Sequence, residues 1–540
     1  MRRLSCALGN DSYESCLFLI ILPTTMINIM HKPRISGRTI NKRAVGLLAS
    51  LLFIGNILGA NAQEQHPNII LFLVDDMGLM DVSVPMLTDA EGKPEVHPLN
   101  EWYRTPHLER FAEKGIRFSN FYAHSVCSPS RNSILTGQNS ARHGTTQWVL
   151  PYHKNGDEFA PPAWNWEGLK GDEPTLPRLL RNKGYRTIHV GKGHLAPFGQ
   201  PGSDPSNLGF DVNIGGSPIG QPGSYYGEDN YRRHDPSGLG RTLAVPHLEK
   251  YHGTDTYLTE ALTLEAKEQI ADAAAQGKPF FLHMSHYAVH TPFQPDLRFI
   301  ENYSDEGKSN GALAYASMVE GVDKSLGDLI DQVERLGLAE NTLIIFLGDN
   351  GSASPLGSAH GHTSSAPLRG KKATHWEGGT RVPFVASWVK PDDGNSIQRR
   401  LPILSGQIQT QMGSIMDLMP TLLNLVGADI PDSHIVDGVD LRTQLEGKKN
   451  PERPNFFINH FPHWHQSSYY TSYVKGDWKL IYFYPTEEAV EPMLFKISED
   501  PYENNNLAED RPEQLNLMID ALRGELNRYG ALYPVSQGLR

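Results

Sequence analysis

Cysteine is almost absent: the 540-residue chain has 3, and Cys6 and Cys16 lie so near its start that Cys127 stands alone beyond them. A disulfide-stapled fold is thereby excluded, because a single thiol closes no internal bridge. Surplus positive charge is missing too. With 49 Lys and Arg against 61 Asp and Glu, a formal net charge of -12, the chain lacks the basic surface that displaces counterions from phosphates, and no nucleic-acid partner is expected. It has no apolar run long enough to span a bilayer, no internal repeat and no low-complexity tract. What is there, 39% hydrophobic and 20% charged residues, describes an ordinary globular protein larger than one simple module.

The N-terminal region reads as a leader. Lys32, Arg34, Arg38, Lys42 and Arg43 precede the apolar run Ala44 to Leu58, and Ala60-Asn61-Ala62 puts small residues at both cleavage-defining positions. A basic stretch, a short apolar core and an A-x-A site make a secretory signal, and the core is too short to anchor. Cleavage is expected after Ala62. A second apolar patch, Leu17 to Leu22, precedes the basic stretch, so Met26 or Met30 suits a conventional start better than Met1. The secretion machinery is an implied partner. No Cys follows the cut to carry a lipid, so no membrane anchor is expected, and the mature protein is placed in a periplasm or outside the cell.

Beyond the leader, short apolar runs alternate with amphipathic helical stretches. The runs are N-I-I-L-F-L-V (68–74), T-I-H-V (187–190), P-F-F-L-H-M-S (279–285) and T-L-I-I-F-L (342–347); candidate helices are 106–114, 175–182, 255–275 and 312–336. This is the pattern of an α/β fold, a doubly wound, mostly parallel sheet flanked by helices. Residues 197–253, rich in Gly, Pro and Tyr without a sustained period, read as a long surface excursion. After about Val426 the texture shifts to Y-Y-T-S-Y-V, W-K-L-I-Y-F-Y and a helix near 512–529, a smaller α+β unit. The expected division is a leader over 1–62, a catalytic domain over 63–426, and a C-terminal subdomain over 427–540 that contributes to the substrate cleft.

In an open α/β sheet, ligands bind at the carboxyl ends of the strands, so the residues after each run are the ones to inspect. The first run ends in Asp75-Asp76, and the fourth is followed by Asp349-Asn350-Gly351. Four hard oxygen donors without clustered His or Cys favour calcium or magnesium over zinc. The second run leads into Lys192 and His194, and the third into His286 and His290, which together supply an anion clamp and proton carriers. Any of these alone is most simply a turn residue or a solvated side chain; their shared position at strand exits is what marks them. The sole remaining cysteine sits in S-V-C-S-P-S-R-N-S-I-L-T-G (125–137), a Cys-x-Pro-x-Arg frame.

These motifs resemble the formylglycine-dependent (type I) sulfatases of the alkaline phosphatase superfamily. V-D-D-M-G (74–78), T-P-H-L-E-R-F-A-E-K-G-I-R-F (105–118), C-S-P-S-R, G-Y-R-T-I-H-V-G-K-G-H (184–194), L-G-D-N-G (347–351) and L-R-G-K-K-A-T-H-W-E-G-G-T-R-V-P (368–383) follow the family's order, and G-D-W-K-L-I-Y (476–482) and E-D-P-Y-E-N-N-N-L-A (499–508) match its second domain. The resemblance implies an alkaline phosphatase/sulfatase-like fold and a sulfuric ester hydrolase in which Cys127 is oxidised by a formylglycine-generating maturation enzyme. It implies that Asp75, Asp76, Asp349 and Asn350 hold one calcium ion, which an oxygen of the hydrated residue 127 also contacts. Arg131 would fix that hydrated diol, Lys192 and Lys372 would hold sulfate oxygens, His290 and Lys372 would face the leaving oxygen, and His194 would take the remaining diol proton.

The sequence departs from the family at three places. Gly193 stands where Trp is frequent, Gly348 where Ser is, and Lys371 where Gly is common before the functional lysine. For the leaving alcohol, His460, His463 and His465 lie in an aromatic segment, N-H-F-P-H-W-H-Q-S-S-Y-Y (459–470), suited to sugar rings; Arg232 and Arg233, beside Tyr225, Tyr226 and His234, form a second candidate region. A sulfated polysaccharide or oligosaccharide is the expected substrate. The competing readings are a phosphate mono- or diester hydrolase of the same superfamily and an inactive glycan-binding homologue.

Overall fold

Strand β1 (Asn68–Val74) is apolar at almost every position because both its faces are covered. It pairs in parallel with β5 (Phe280–Ser285) on one side and β6 (Thr342–Gly348) on the other, and β3 (Arg186–Gly191) continues in parallel beyond β5. These are the four apolar runs of the sequence, adjacent at the centre of an eight-stranded sheet. The outer strands are β2 (Ile116–Phe118), β4 (Val212–Ile214), β7 (Phe384–Trp388) and β8 (Gln407–Gln409), in the order β8-β2-β7-β6-β1-β5-β3-β4. Only β7 runs antiparallel to its neighbours, so the sheet is mixed but mostly parallel. The protein is described from a computed structural model over residues 66–235, 241–304, 307–356, 365–465, 468–485 and 490–535. The leader, its cleavage after Ala62 and the alternative starts lie outside these residues.

The strand period of two divides the core. Ile70, Phe72 and Val74 face α4 (Leu258–Ala275) and α5 (Asn310–Arg335), packing with Leu262, Ile270, Met318 and Val322, while α1 (Pro106–Lys114) adds Leu108 and Phe111 to this layer. Ile69, Leu71 and Leu73 point the other way, into a layer built from α2 (Cys127–Thr136), α3 (Leu176–Asn182) and α6 (Leu418–Val426). Helices on both faces complete the doubly wound architecture. A second, antiparallel sheet follows, with β9 (Phe456–Trp464), β10 (Ser468–Lys475), β11 (Trp478–Phe483) and β12 (Met493–Lys496) in sequential order. The last helix, α7 (Pro512–Tyr529), lays Met518, Leu522 and Leu526 against Ile458, Leu480 and Leu494 of that sheet. No helix among the described residues is long and apolar enough to cross a membrane.

The long excursion is framework as well as surface. Its Tyr225 and Tyr231 are fully buried, and it contributes β4 to the sheet edge. Burial is possible because each hydroxyl finds backbone acceptors: Tyr225 donates to the carbonyls of Tyr287 (2.7 Å) or His290 (2.8 Å), and Tyr231 to that of Thr256 (2.9 Å).

Candidate active site

The carboxyl ends of the central strands meet α2 at one point. Parallel pairing of β1 with β6 sets Val74 opposite Gly348, so Asp75-Asp76 and Asp349-Asn350 emerge side by side. The Asp349 amide donates to the Val74 carbonyl (3.1 Å), and the Asp76 amide to Asp349 Oδ1 (3.0 Å), locking the two turns together. Asp76 adopts a left-handed φ of 59°. All four residues are buried. Cys127 opens α2, with Val126 as N-cap, and its Sγ lies 4.0 Å from Asp76 Oδ1. Burial pushes the thiol up to about 12 against the pull of Lys192 and Lys372, so it is a poor nucleophile as encoded.

Arg131, one turn along α2, is the organiser. Its Nε and Nη2 meet Asp349 Oδ2 at 2.9 and 2.8 Å, Nη2 lies 3.3 Å from Asp75 Oδ1, and Nη1 donates to Ser285 Oγ (2.7 Å) and the Lys192 carbonyl (3.0 Å). Desolvation lowers its titration, but Asp349 and Asp75 outweigh that and hold it firmly cationic. Lys192, after β3, places Nζ 2.7 Å from Asp75 Oδ2. Lys372 places Nζ 2.6 Å from Asp76 Oδ1, and His290 Nε2 lies 3.5 Å from Asp76 Oδ2. Burial raises Asp75 to about 8, with Lys192 opposing; on Asp76, burial acts the same way but Lys372 and His290 win and hold it below the usual carboxylate range. Burial, then Lys372, pushes His290 down to about 3, leaving it neutral. His194 is likewise held neutral by burial and Lys192; its Nε2 bonds the Val149 carbonyl (2.7 Å) and its buried Nδ1 has no hydrogen-bond partner among the described residues.

This cluster fits a hard divalent cation. Oxygens of Asp75 and Asp349 lie within 4.8 Å of one another and of Cys127 Sγ, as do atoms of Asp76, His290 and Cys127. Asn350 donates through Nδ2 to Asp76 Oδ1 (2.9 Å), while its buried Oδ1 receives no hydrogen bond from the described residues. An orphaned amide oxygen beside three buried carboxylates is an oxygen-rich donor set of the kind calcium takes.

The three departures have structural counterparts. At Gly193 a Cβ would meet the Ser217 backbone at 3.0 Å: the loop around Gly216 occupies the space, and the His194 amide donates to the Ser217 carbonyl (2.9 Å). At Gly348 a Cβ would overlap the Met77 carbonyl, so this backbone excludes a side chain there. Lys371 is exposed, whereas Lys372 reaches Asp76.

A cleft of about 450 Å³ opens above Cys127, with His194, His290 and Lys372 in its lining alongside Trp148, Gln221, Arg233 and His465. The remaining sequence candidates lie elsewhere. Arg232 is exposed and outside this lining; His460 is buried, bonding Thr471 Oγ1 (2.8 Å) and the Leu532 carbonyl (2.9 Å); His463 is buried against Thr146 Oγ1 (2.8 Å) and Asp157. His286, at the exit of β5, is buried under the site and bonds Ser325 Oγ at 2.9 Å. Sequence reasoning passed over Ser285, which ends the third apolar run and holds Arg131, and Trp148, whose one signal was a lone tryptophan soon after the Cys-x-Pro-x-Arg helix.

A site of this kind on the carboxyl edge of a doubly wound sheet defines an ester hydrolase of the alkaline phosphatase superfamily. The family model "Sulfatase" matches residues 67–428, and that for the C-terminal part of N-sulphoglucosamine sulphohydrolase matches residues 376–530. The chain is 33% identical to N-acetylgalactosamine-6-sulfatase of Mus musculus over 418 residues, 75% of this chain and 72% of that one. It is 28% identical to arylsulfatase G of Rattus norvegicus over 523 residues, 89% and 90% of the two chains. Among solved structures, Ps i-CgsB is similar with a TM-score of 0.68 at 24% identity, covering 86% of this chain and 93% of that one. The chain belongs to the type I sulfatase family and is a sulfuric ester hydrolase.

Proposed function

We propose that the protein is exported and removes sulfate from glycans, using Cys127 converted to formylglycine and a calcium ion held by Asp75, Asp76, Asp349 and Asn350. The observation that carries this reading is the convergence of Asp75, Asp76 and Asp349 on Cys127, which lines the cleft, with Asn350 bonded to Asp76. When present, the formylglycine and the cation would supply a nucleophilic oxygen and a Lewis acid. The chain's own residues do the rest. Arg131 fixes Asp75 and Asp349 in place, while the ammonium groups of Lys192 and Lys372 stand where sulfate oxygens would gather. Lys372 and neutral His290 share Asp76 and line the cleft, positioned to hold a proton at the leaving oxygen; His194 offers Nδ1 for another. Burial of the charged groups keeps the site dry, which strengthens each interaction.

A glycan substrate is supported by the cleft wall of Trp148 and His465, whose rings lie 4.4 Å apart edge to face, and by relatives named for an N-acetylgalactosamine 6-sulfate or solved with a neocarrahexaose. Export is supported by the basic stretch, apolar core and A-x-A site of residues 32–62.

The test is mass analysis of the tryptic peptide from Phe118 to Arg131, together with sulfate release from N-acetylgalactosamine 6-sulfate and sulfated galactans. A peptide about 18 Da lighter than the thiol form is expected from a host that matures sulfatases. An intact thiol with phosphate release instead of sulfate release would transfer the site to the phosphohydrolase reading. Treatment with EGTA is expected to abolish turnover and lower the melting temperature, both restored by calcium, since a ligand bound only to the folded state stabilises it by mass action. Full activity after exhaustive chelation would remove calcium from the proposal.

A further inference from the structure

The cleft has two unlike walls. Trp148 and His465 make one, continued by Val149, Leu150 and Pro151; Gln221, Arg233 and Leu243 line the other. We infer that Arg233 selects substrates that carry a second anionic group, a sulfate or a carboxylate, close to the ester being cleaved. This rests on the proposed sulfatase chemistry and adds a specificity-determining residue to it.

Three observations carry the inference. The cations at the floor are already matched: Lys192 binds Asp75, Lys372 binds Asp76, and Arg131 binds Asp349. Arg233 forms no ion pair with a carboxylate among the described residues. Its Nε donates to the Arg241 carbonyl (3.1 Å), which holds the planar head group by one edge. A guanidinium held in this way presents a fork that matches two oxygens of one anion.

Its place relative to the floor is also built in. The Arg233 amide donates to the Thr242 carbonyl (2.9 Å), and the Gly223 amide to that of Leu243 (2.8 Å), tying three short segments together. A Cβ at Gly223 would overlap the Arg233 amide nitrogen, and one at Gly220 would come within 2.8 Å of the His194 ring. Two glycines thus let a single stretch of backbone pack against His194 at one end and Arg233 at the other. Finally, the chain carries a formal net charge of -12, so a polyanionic substrate approaches against its overall field. An exposed cation on the cleft wall offsets that repulsion where the second anion would lie.

The experiment follows turnover of 4-nitrophenyl sulfate by the mature protein in the presence of three competitors: N-acetylgalactosamine 6-sulfate, N-acetylgalactosamine 4,6-disulfate and an unsaturated chondroitin 6-sulfate disaccharide. The readout is selectivity, the inhibition constant of the single-anion sugar divided by that of each two-anion competitor. Arg233→Gln is expected to reduce this ratio about tenfold, the worth of one charge-assisted anion contact. A loss confined to the 4,6-disulfate identifies sulfate as the second group; a loss confined to the disaccharide identifies the uronate. Arg233→Lys, which keeps the charge but not the fork, should recover part of the selectivity, and Gly223→Ala should lose it with Arg233 still present. Thermal melting of each variant reports folding separately. Equal changes for all three competitors, or no change for any, would overturn the role of Arg233 and leave the sulfatase reading intact. Failure of the wild-type protein to release sulfate from 4-nitrophenyl sulfate and from all three sugars would remove the proposed chemistry and this inference with it.

Discussion

Lys371 and Lys372 are adjacent in sequence and unequal in place. Burial opposes the charge of Lys372, but Asp76 at 2.6 Å outweighs that and holds it firmly protonated. Lys371 stays on the exposed side of the turn. Removing a preorganised donor from a dry site typically lowers kcat by about 100-fold or more, so Lys372→Ala should reduce sulfate release by at least that factor. Lys371→Ala should change it by no more than about threefold, as expected of an exposed charge. Steady-state assays on the two variants decide this, and a reversed order would mean that the turn repacks when substrate binds. The histidines show the same dependence on surroundings. His460 and His463 share an aromatic segment with His465, yet both ring nitrogens of His460 and Nε2 of His463 are bonded inside the protein, while His465 lines the cleft. Nothing in residue type or spacing separates the three; only tertiary packing does.

At the scale of elements, the four central strands were legible because burial on both faces demands unbroken apolar runs, and α1 and α7 because their amphipathic periods are bounded by Pro at the start and Gly at the end. The edges of the sheet were not: β2, β4 and β8 are three residues each, too short for any period to declare itself, and the single antiparallel strand β7 follows the Lys372 turn without a signal of direction. Contacts between elements were equally hidden. Asp323, on α5, accepts the His107 (3.0 Å) and Leu108 (2.8 Å) amides at the start of α1. Burial pushes its carboxyl up to about 7, against those two donors, from the usual value near 3.8. The folded state therefore binds the proton that the unfolded chain releases, and this carboxyl's contribution to stability falls as pH rises from about 4 to 7 and is constant above. Asp323→Asn should gain stability relative to wild type across that window, by up to about 1.4 kcal/mol per pH unit, in urea denaturation at several pH values. A pH-independent difference would mean that the carboxylate is ionised throughout.

The whole molecule is tied together by a charge that sees no water. Lys479 of β11, fully buried, reaches Glu377 (2.8 Å) at the end of the Lys372 turn and Glu503 (2.7 Å) beyond β12, and the Glu377 amide donates to Glu503 (2.8 Å). The second sheet thus completes the ion pairing of the turn that carries Lys372. Removing one partner of a buried charge network strands the others, so Lys479→Met should destabilise the protein by about 3–5 kcal/mol and lower turnover through displacement of Lys372. A chemical denaturation midpoint matching wild type would show that the two sheets are independent. Cys127, finally, is 2% exposed, at the head of a helix whose every residue is buried. The cleft reaches its side chain, but the buried helix offers another enzyme no length of extended chain beside it. Under the proposed chemistry, any catalyst that rewrites this side chain must therefore act before α2 docks against the sheet. The fraction of molecules that become active is then decided by a race between oxidation and folding, and a molecule that folds first keeps its thiol for as long as it stays folded.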